Sequence, residues 1–278
     1  MTAFDPRLTP ARPDLAAASL KGKVEAARFA EGEIKQAIRG NAALRDGPSF
    51  DAQLHTEILF GELFTVYEEK NGWAWGQCAF DSYVGYARSS EFASPGPVPT
   101  HRVAVFKTPL QPSPDVKRGA VDFLPMNAKV CALAKEDRYA KIADNLYVFA
   151  GHLVSIASRA PDWVTVAERF VGIPYLWGGK TIDGLDCSGL IQLALEAGGI
   201  KSPRDADMME ATLGKPVPIE PVSGLKRGDM LFWNEHVGVM LDATRLLHAN
   251  GFHMQVEVEP LRDAAARIAR PLTSIRRL

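Results

Sequence analysis

The stretch that most constrains this chain is the glycine-dense loop of residues 174–190, which leads to a single cysteine, Cys187. An apolar run with helical spacing follows and stops at Gly198-Gly199, so the sequence predicts a helix that begins at or just after the cysteine. The free N–H groups and the positive dipole at a helix N-terminus favour an anion. We therefore predict a lowered thiol pKa and a nucleophilic cysteine. Single cysteines are often buried and inert, but the polar neighbours Asp186 and Ser188 argue against that alternative.

Length and composition limit the classes of protein. At 278 residues the chain is long enough for two or three domains. With 46% hydrophobic residues and a net charge of −1, it is neither disordered nor a polycation, and no charge pattern supports a nucleic-acid partner. The three cysteines are too widely spaced for a disulfide framework or a zinc motif, so we predict a reducing compartment and no metal or other cofactor. Cys78 and Cys131 are predicted to fill apolar strands.

The N-terminal residues carry no targeting signal that the sequence reveals. The longest apolar stretch near the start is Leu15-Ala16-Ala17-Ala18, shorter than a secretory core or a membrane span requires. The sequence therefore predicts a cytoplasmic protein without a membrane partner, although another export route or an upstream start stays open. The segment 14–40 is predicted to begin with a short helix capped by Asp14.

Two small all-β domains are predicted before the cysteine loop. Strand-length runs at 58–60, 63–67, 73–75 and 83–86, with a hairpin signal at Asn71-Gly72, indicate a small barrel within residues 1–95. The proline-rich segment 93–99 is typical of a linker. A weaker repeat of the same pattern predicts a second barrel over residues 100–157.

Residues 160–278 are predicted to form an α+β domain. After the helix that follows Cys187, a strand is predicted to end at Trp233, a turn at Asn234-Glu235 follows, and a further strand begins at His236. Antiparallel strands packed on a helix could bring a histidine to the cysteine.

The alternation of strand residues assigns roles to two histidines. His236 and Gly238 lie on one face, and the glycine leaves room for another element to approach. His236 could then act as the base for Cys187, and His248 on the next strand could orient its imidazole. The simpler alternatives are a surface histidine at position 236 and a core histidine at position 248.

Several spaced motifs resemble one known family. Pro174-Tyr-Leu-Trp-Gly-Gly, then Asp186-Cys-Ser-Gly, Gly228-Asp-Met-Leu-Phe-Trp, His236-Val-Gly-Val and His248 occur in the order found in bacterial NlpC-type cell-wall cysteine peptidases. The resemblance covers roughly residues 160–275 and implies a papain-like fold. The two preceding domains resemble bacterial SH3-like barrels, an arrangement found in the branch that cleaves γ-D-glutamyl-L-diamino acid bonds of murein peptides.

The resemblance also implies site residues. Cys187 matches the nucleophile, His236 the base, His248 the orienting residue and Tyr175 a cleft tyrosine that stabilises the oxyanion with the Cys187 N–H. Residues implied as substrate contacts, some of them for the ammonium of an N-terminal L-alanine, are Asp186, Ser188, Glu62, Tyr83, Arg204 and Asp205.

Four functions are weighed. The sequence favours a cysteine peptidase that releases L-Ala-γ-D-Glu from free murein peptides during peptidoglycan recycling. The alternatives are a thiol acyltransferase or amidase on the same skeleton, a hydrolase of intact peptidoglycan, and a binding protein with an inert papain-like domain. The intact Cys187, His236 and His248 count against the last. The sequence predicts neither the oligomeric state nor the preferred diamino acid.

Overall fold

A computed structural model describes residues 4–219 and 224–278 of the chain. The chain divides into two compact units, Met1–Ala157 and Ser158–Leu278. Within the described residues, the first unit consists of short strands and single 3-10 turns, and the second combines four α-helices with a six-stranded sheet. No helix in these ranges is long and apolar enough to cross a membrane.

The first part of unit one is dominated by one antiparallel sheet. Its described strands are β1 Ala16–Ala17, β2 Phe29–Ala30, β3 Glu33–Ala37, β4 Asn41–Arg45, β5 Leu54–Leu59, β6 Leu63–Lys70, β7 Trp73–Cys78, β8 Val84–Arg88 and β9 Phe92–Ala93. Seven of them pair in the order β5-β4-β8-β7-β6-β3-β9. The predicted runs fall on β5 to β8, and the hairpin at Asn71-Gly72 is confirmed by φ values of 52° and 78°, as a type I′ turn requires.

The segment before this sheet differs from the prediction. In place of a helix after Asp14, the described chain has β1 and one 3-10 turn, Ala18–Leu20. The Asp14 carboxylate accepts hydrogen bonds from Arg12, and the 3-10 turn begins only after Ala17. Leu15 is fully buried in one cluster with Trp75, so packing on the sheet determines this conformation.

The second part of unit one has its own core. Its described strands are β10 His101–Val103, β11 Lys107–Leu110, β12 Asp122–Pro125, β13 Lys129–Val130, β14 Ala134–Glu136, β15 Tyr139–Ala143, β16 Leu146–Phe149 and β17 Leu153–Ser155. They form the sheets β13-β10-β17, β11-β12 and β14-β15-β16 around buried Val103, Leu124 and Val148. Cys78 is buried on β7 as predicted, but Cys131 follows the end of β13 and is only partly buried.

The two parts of unit one contact each other at a glycine. Gly61 has φ +82°, and a Cβ atom there would lie 2.0 Å from the carbonyl oxygen of Lys129. The Lys129 N–H donates to the carbonyl of Phe60 at 2.8 Å. The next residue, Glu62, is buried, pairs with the Lys129 ammonium at 3.0 Å and accepts the Leu59 N–H at 3.0 Å.

Unit two places one helix against a sheet whose described strand pairs are all antiparallel. Its helices are α1 Trp163–Glu168, α2 Cys187–Ala197, α3 Ala206–Thr212 and α4 Leu261–Ile268. Its described strands are β18 Lys180–Thr181, β19 Gly184–Leu185, β20 Lys215–Val217, β21 Met230–Trp233, β22 His236–Met240, β23 Arg245–Asn250, β24 Gln255–Pro260 and β25 Leu272–Arg277. The sheet order is β20-β25-β21-β22-β23-β24, and α2 packs on β22 and β23. The predicted helix followed by antiparallel strands is therefore confirmed.

Candidate active site

Glycines bring the loop before α2 close to the first turn of that helix. A Cβ atom on Gly189 would lie 2.2 Å from the carbonyl oxygen of Gly179, and one on Gly179 would lie 2.4 Å from that of Gly184. These approaches exclude any side chain. The hairpin β18–β19 therefore lies against the N-terminus of α2, and Cys187 is the first residue of the helix, as predicted.

Asp186 caps the helix and is held from several sides. Its carboxylate accepts the N–H groups of Gly189 at 2.6 Å and Gly178 at 2.8 Å. Arg204, only 1% exposed, donates to both carboxylate oxygens at 2.9 and 2.6 Å and to the Ser188 hydroxyl at 2.8 Å. A carboxylate offers about four lone-pair positions, so these contacts occupy the Asp186 side chain.

The Cys187 sulfur is buried and lies at the main chain of the neighbouring strand. The N–H groups of Val237 and Ser188 both act to lower the pKa of the Cys187 thiol. In the described register, β22 pairs with β23 only at Val239 and Met240, so Val237 lies beyond this ladder. Since Val237 directly follows His236, the strand that contacts the thiol also carries the imidazole.

The predicted lowering of the thiol pKa is wrong for this resting geometry. Burial raises the pKa of Cys187 to about 12, and the negative charge of Asp186 acts in the same direction. The Val237 N–H, the Arg204 cation and the Ser188 N–H lower the pKa but do not compensate. Desolvation therefore outweighs the helix N-terminus. The thiol is neutral near pH 7 and needs a base at the moment of attack.

The two predicted histidines are hydrogen-bonded to each other. Nε2 of His236 lies 2.8 Å from Nδ1 of His248. A Cβ atom on Gly238 would lie 3.2 Å from Cβ of His248 and 2.8 Å from Cδ1 of Leu246. The prediction that this glycine permits a close approach is confirmed, and the side chains that approach belong to β23.

Two residues that the sequence analysis missed extend this pair. Nε2 of His248 lies 2.6 Å from Oε1 of Glu259 on β24. Both terminal nitrogens of Arg267 on α4 donate to that carboxylate, one of them at 2.6 Å. We call the four residues His236, His248, Glu259 and Arg267 the relay. Burial, which raises the Glu259 pKa, is outweighed by Arg267 and His248, and the pKa falls to about 2.

The charge on Glu259 fixes the hydrogen positions in the relay. A carboxylate only accepts, so Nε2 of His248 carries a hydrogen. Burial lowers the pKa of His248 and lowers that of His236 to about 3, so each ring is neutral with one hydrogen. Nδ1 of His248 must then accept from Nε2–H of His236. This leaves Nδ1 of His236 unprotonated and available as the base.

This arrangement supports nucleophilic catalysis by the cysteine. In such a reaction Nδ1 of His236 would take the thiol proton as the Cys187 sulfur attacks a carbonyl carbon, and would then give that proton to the departing amine. Water would hydrolyse the resulting thioester with the same histidine as base. The imidazolium formed in each half-reaction would be stabilised through His248 by the negative charge of Glu259. These roles stay predictions.

Tyr175 lies where its charge would interact with that of the thiolate. Burial raises the pKa of Tyr175, and the negative charges of Cys187 and Asp186 add to the effect. The phenol therefore keeps its proton at neutral pH and can donate a hydrogen bond. Its role at the oxyanion stays a prediction.

The predicted substrate contacts fall into two groups. Asp186, Ser188 and Arg204 form the buried cluster beneath Cys187, and Asp205 is the N-cap residue of α3. In unit one, Glu62 pairs with Lys129, and Tyr83 is 3% exposed with its ring 5.5 Å from that of His55. Contact of any of these six residues with substrate stays a prediction.

Sequence reasoning missed Glu259 because its signal was ambiguous. The alternating run 255–259 indicates a strand, and two carboxylates, Glu257 and Glu259, lie on one face of it. Only the register and the position of α4 distinguish them: Glu259 is the one that reaches both His248 and Arg267.

Comparisons with known proteins give matches for both units of the chain. Residues 172–270 match the NlpC/P60 family, and residues 44–92 match the bacterial dipeptidyl-peptidase SH3 domain. The gamma-D-glutamyl-L-lysine dipeptidyl-peptidase of Bacillus subtilis is 27% identical over 243 residues, which are 79% of this chain and 80% of that protein. Dipeptidyl-peptidase 6 of Lysinibacillus sphaericus is 36% identical over 35% of each chain. A crystal structure of an NlpC/P60 family protein from Bacillus cereus has a TM-score of 0.75 at 18% identity and covers 88% of this chain and 99% of its own.

The family match of unit two and the dipeptidyl-peptidase relative identify a cysteine peptidase. Residues 172–270 form an NlpC/P60 domain with a papain-like fold, and the chain combines it with an SH3-like N-terminal domain.

Proposed function

We propose that the chain hydrolyses the γ-D-glutamyl-L-diamino acid bond of murein peptides. One observation carries the proposal: the similarity to the Bacillus subtilis gamma-D-glutamyl-L-lysine dipeptidyl-peptidase extends over 79% of the chain, more than the catalytic unit alone. In the proposed reaction the sulfur of Cys187 attacks the γ-carbonyl of D-glutamate. The amine of the diamino acid leaves with the proton from His236, and water releases the dipeptide from the thioester.

The finer proposal is that the substrate is a free peptide with an N-terminal L-alanine, as in peptidoglycan recycling. A dipeptidyl-peptidase cuts two residues from a free N-terminus, and three relatives carry that name. A free ammonium on the substrate calls for a carboxylate partner. Asp186 is occupied by Arg204, so we do not assign the ammonium to it on geometry. The cytoplasmic location stays a prediction that cell fractionation would test.

A hydrolase of intact peptidoglycan is the second candidate. Peptidoglycan endopeptidase RipB of Mycobacterium tuberculosis is 34% identical over 34% of this chain. That similarity is confined to a shorter part of the chain than the similarity to the dipeptidyl-peptidase, so we place it second.

The test compares three substrates under one condition: free L-Ala-γ-D-Glu-L-Lys, the same peptide with an acetylated N-terminus, and purified sacculi. Products are identified by mass spectrometry, with Cys187→Ala as the matched inactive control. We expect L-Ala-γ-D-Glu and lysine from the free peptide and at least a hundredfold slower cleavage of the acetylated one, since a site built for a charged group rejects analogues without it. Equal cleavage of the acetylated peptide or of sacculi would contradict the recycling proposal. No cleavage of any γ-D-glutamyl bond would contradict the peptidase proposal itself. Replacing lysine by meso-diaminopimelate in the free peptide gives the diamino acid preference.

A further inference from the structure

The second part of unit one contains a groove of about 420 Å³ that the proposed chemistry does not use. Its floor is a series of rings: Tyr139 and Phe149 have centroids 6.1 Å apart, and Phe149 and His152 have centroids 4.9 Å apart. Phe123, 48% exposed, forms one side. The volume lies within the range of about 300 to 1,000 Å³ typical of small-ligand sites.

Two arginines line this groove. Arg118 and Arg138 have side chains that are 70% and 68% exposed. Each has an ion pair with a nearby aspartate, Asp115 and Asp137, and both pairs measure 3.7 Å. Exposed pairs of this length contribute little, so an incoming anion can compete for both guanidinium groups.

The loops that carry these arginines are fixed before any ligand binds. The side chain of Gln111, 6% exposed, donates to the carbonyl oxygens of Asp115 and Arg118 at 3.1 and 3.3 Å. The Arg138 carbonyl accepts the Ala150 N–H at 2.8 Å. Loops that are already ordered lose less conformational entropy on binding, which is the property of a prepared site.

The charge of residues 100–157 also favours an anionic ligand in this groove. Residues 100–157 contain eight lysines and arginines and five aspartates and glutamates. Residues 1–99 contain ten lysines and arginines and thirteen aspartates and glutamates. Among the described residues that line the groove, none is acidic. An anionic ligand that displaces Asp115 and Asp137 from the two guanidinium groups would therefore meet no further carboxylate in the described lining.

We propose that this groove binds a short acidic peptide, with an apolar side chain on the ring floor and carboxylates on Arg118 and Arg138. The ring floor between two exposed arginines suits an apolar side chain flanked by two carboxylates, and the small volume excludes a folded nucleic acid. The groove lies in unit one, and this proposal does not depend on the reaction at Cys187.

The probe is acetyl-Glu-Leu-Glu-amide, which has neither a γ-D-glutamyl bond nor a free ammonium and so cannot be a substrate of the proposed reaction. Its matched neutral partner is acetyl-Gln-Leu-Gln-amide. Titration calorimetry on the full chain should show binding of the acidic peptide at least tenfold tighter than that of the neutral one. The affinity should fall as salt rises, because both contacts are between exposed charges.

Arg118→Gln with Arg138→Gln should weaken binding of the acidic peptide about tenfold or more and leave the circular dichroism spectrum unchanged. The matched control is Arg262→Gln in unit two, an 86% exposed arginine that also pairs with a neighbouring aspartate. It should leave binding unchanged.

Equal affinity for the two peptides would overturn the proposal, as would full binding by the folded double variant. A tetrasaccharide of hyaluronan that binds more tightly than the peptide would overturn the assignment to peptides. Because none of these probes is cleaved, the outcome is independent of whether the peptidase proposal holds.

Discussion

Unit two contains two arginine–carboxylate pairs that serve different purposes. Asp186 caps the helix that begins at the nucleophile and pairs with Arg204, and the described contacts of the two residues include the main chain of the glycine loop and Ser188. Arg267 and Glu259 lie behind the histidines, and one carboxylate oxygen also contacts His248. The described contacts of the first pair are with main-chain groups and a hydroxyl, whereas the second pair also contacts the ionisable imidazole of His248.

The difference shows that an arginine–carboxylate pair can either stabilise a loop or raise the pKa of a nearby histidine. The negative charge of Asp186 raises the Cys187 pKa and so opposes the thiolate, which fits a residue whose function is to hold the helix N-terminus. The negative charge of Glu259 raises the pKa of His236 and so supports the imidazolium that catalysis requires. We therefore expect loss of Asp186 to act first on stability and loss of Glu259 to act first on rate.

The largest effect is expected for Asp186→Ala. The substitution removes the carboxylate that pairs with the buried guanidinium of Arg204, which costs about 3–5 kcal/mol of unfolding free energy. Urea denaturation at pH 7 measures it, with Asp183→Ala as the control because Asp183 is exposed in the same hairpin. Adding Arg204→Met should recover much of the loss. A variant that stays fully stable and loses only substrate affinity would show that Asp186 is a substrate contact instead.

Glu259→Gln should reduce the rate with little change in stability. Glutamine is nearly the same size, but its amide can donate or accept, so the hydrogen positions of the relay are no longer fixed. We expect kcat/KM to fall roughly 10- to 100-fold, a part of the ~10²–10⁴ that general acid–base catalysis supplies. Glu257→Gln on the same strand is the matched control. A folded Glu259→Gln variant with activity within twofold of the unsubstituted enzyme would remove Glu259 from the mechanism.

The smallest effect concerns pH. Burial lowers the His236 pKa to about 3, so the base stays unprotonated down to mildly acidic pH. The acid limb of kcat/KM should lie below pH 5, well under the ~6.5 of a free histidine. Because Glu259 raises the His236 pKa, Glu259→Gln should move that limb further down. Steady-state assays between pH 3 and 9, with folding checked at each pH, measure the acid limb of kcat/KM. An apparent pKa near the ~6.5 of a free histidine would contradict burial of His236.

Local patterns in the sequence were sufficient for most of the fold and the reacting groups. Glycine spacing predicted the loop before Cys187, and strand alternation placed His236 and His248 on paired strands. Both signals are properties of consecutive residues. The helix predicted after Asp14 failed because burial of Leu15 against Trp75, a contact 60 positions away along the chain, determined that segment.

The electrostatics could not be predicted in the same way. The thiol pKa depends on burial by the whole unit, and the helix N-terminus that the sequence reveals is only one contribution. Glu259 could not be identified for a related reason. Strand alternation does not show whether Glu257 or Glu259 will pair with an arginine on a helix that lies elsewhere in the sequence.

The central claim is that Cys187 is the nucleophile and that the other two cysteines are not. The direct measurement is the turnover of L-Ala-γ-D-Glu-L-Lys by Cys187→Ala beside that of the Cys78→Ala/Cys131→Ala double variant. We expect turnover by Cys187→Ala to fall roughly 10⁴- to 10⁶-fold, the scale seen when the nucleophile of a coupled triad is removed. The folded Cys78→Ala/Cys131→Ala variant should keep its activity within twofold. A Cys187→Ala enzyme that keeps more than about one hundredth of the original turnover would contradict the account.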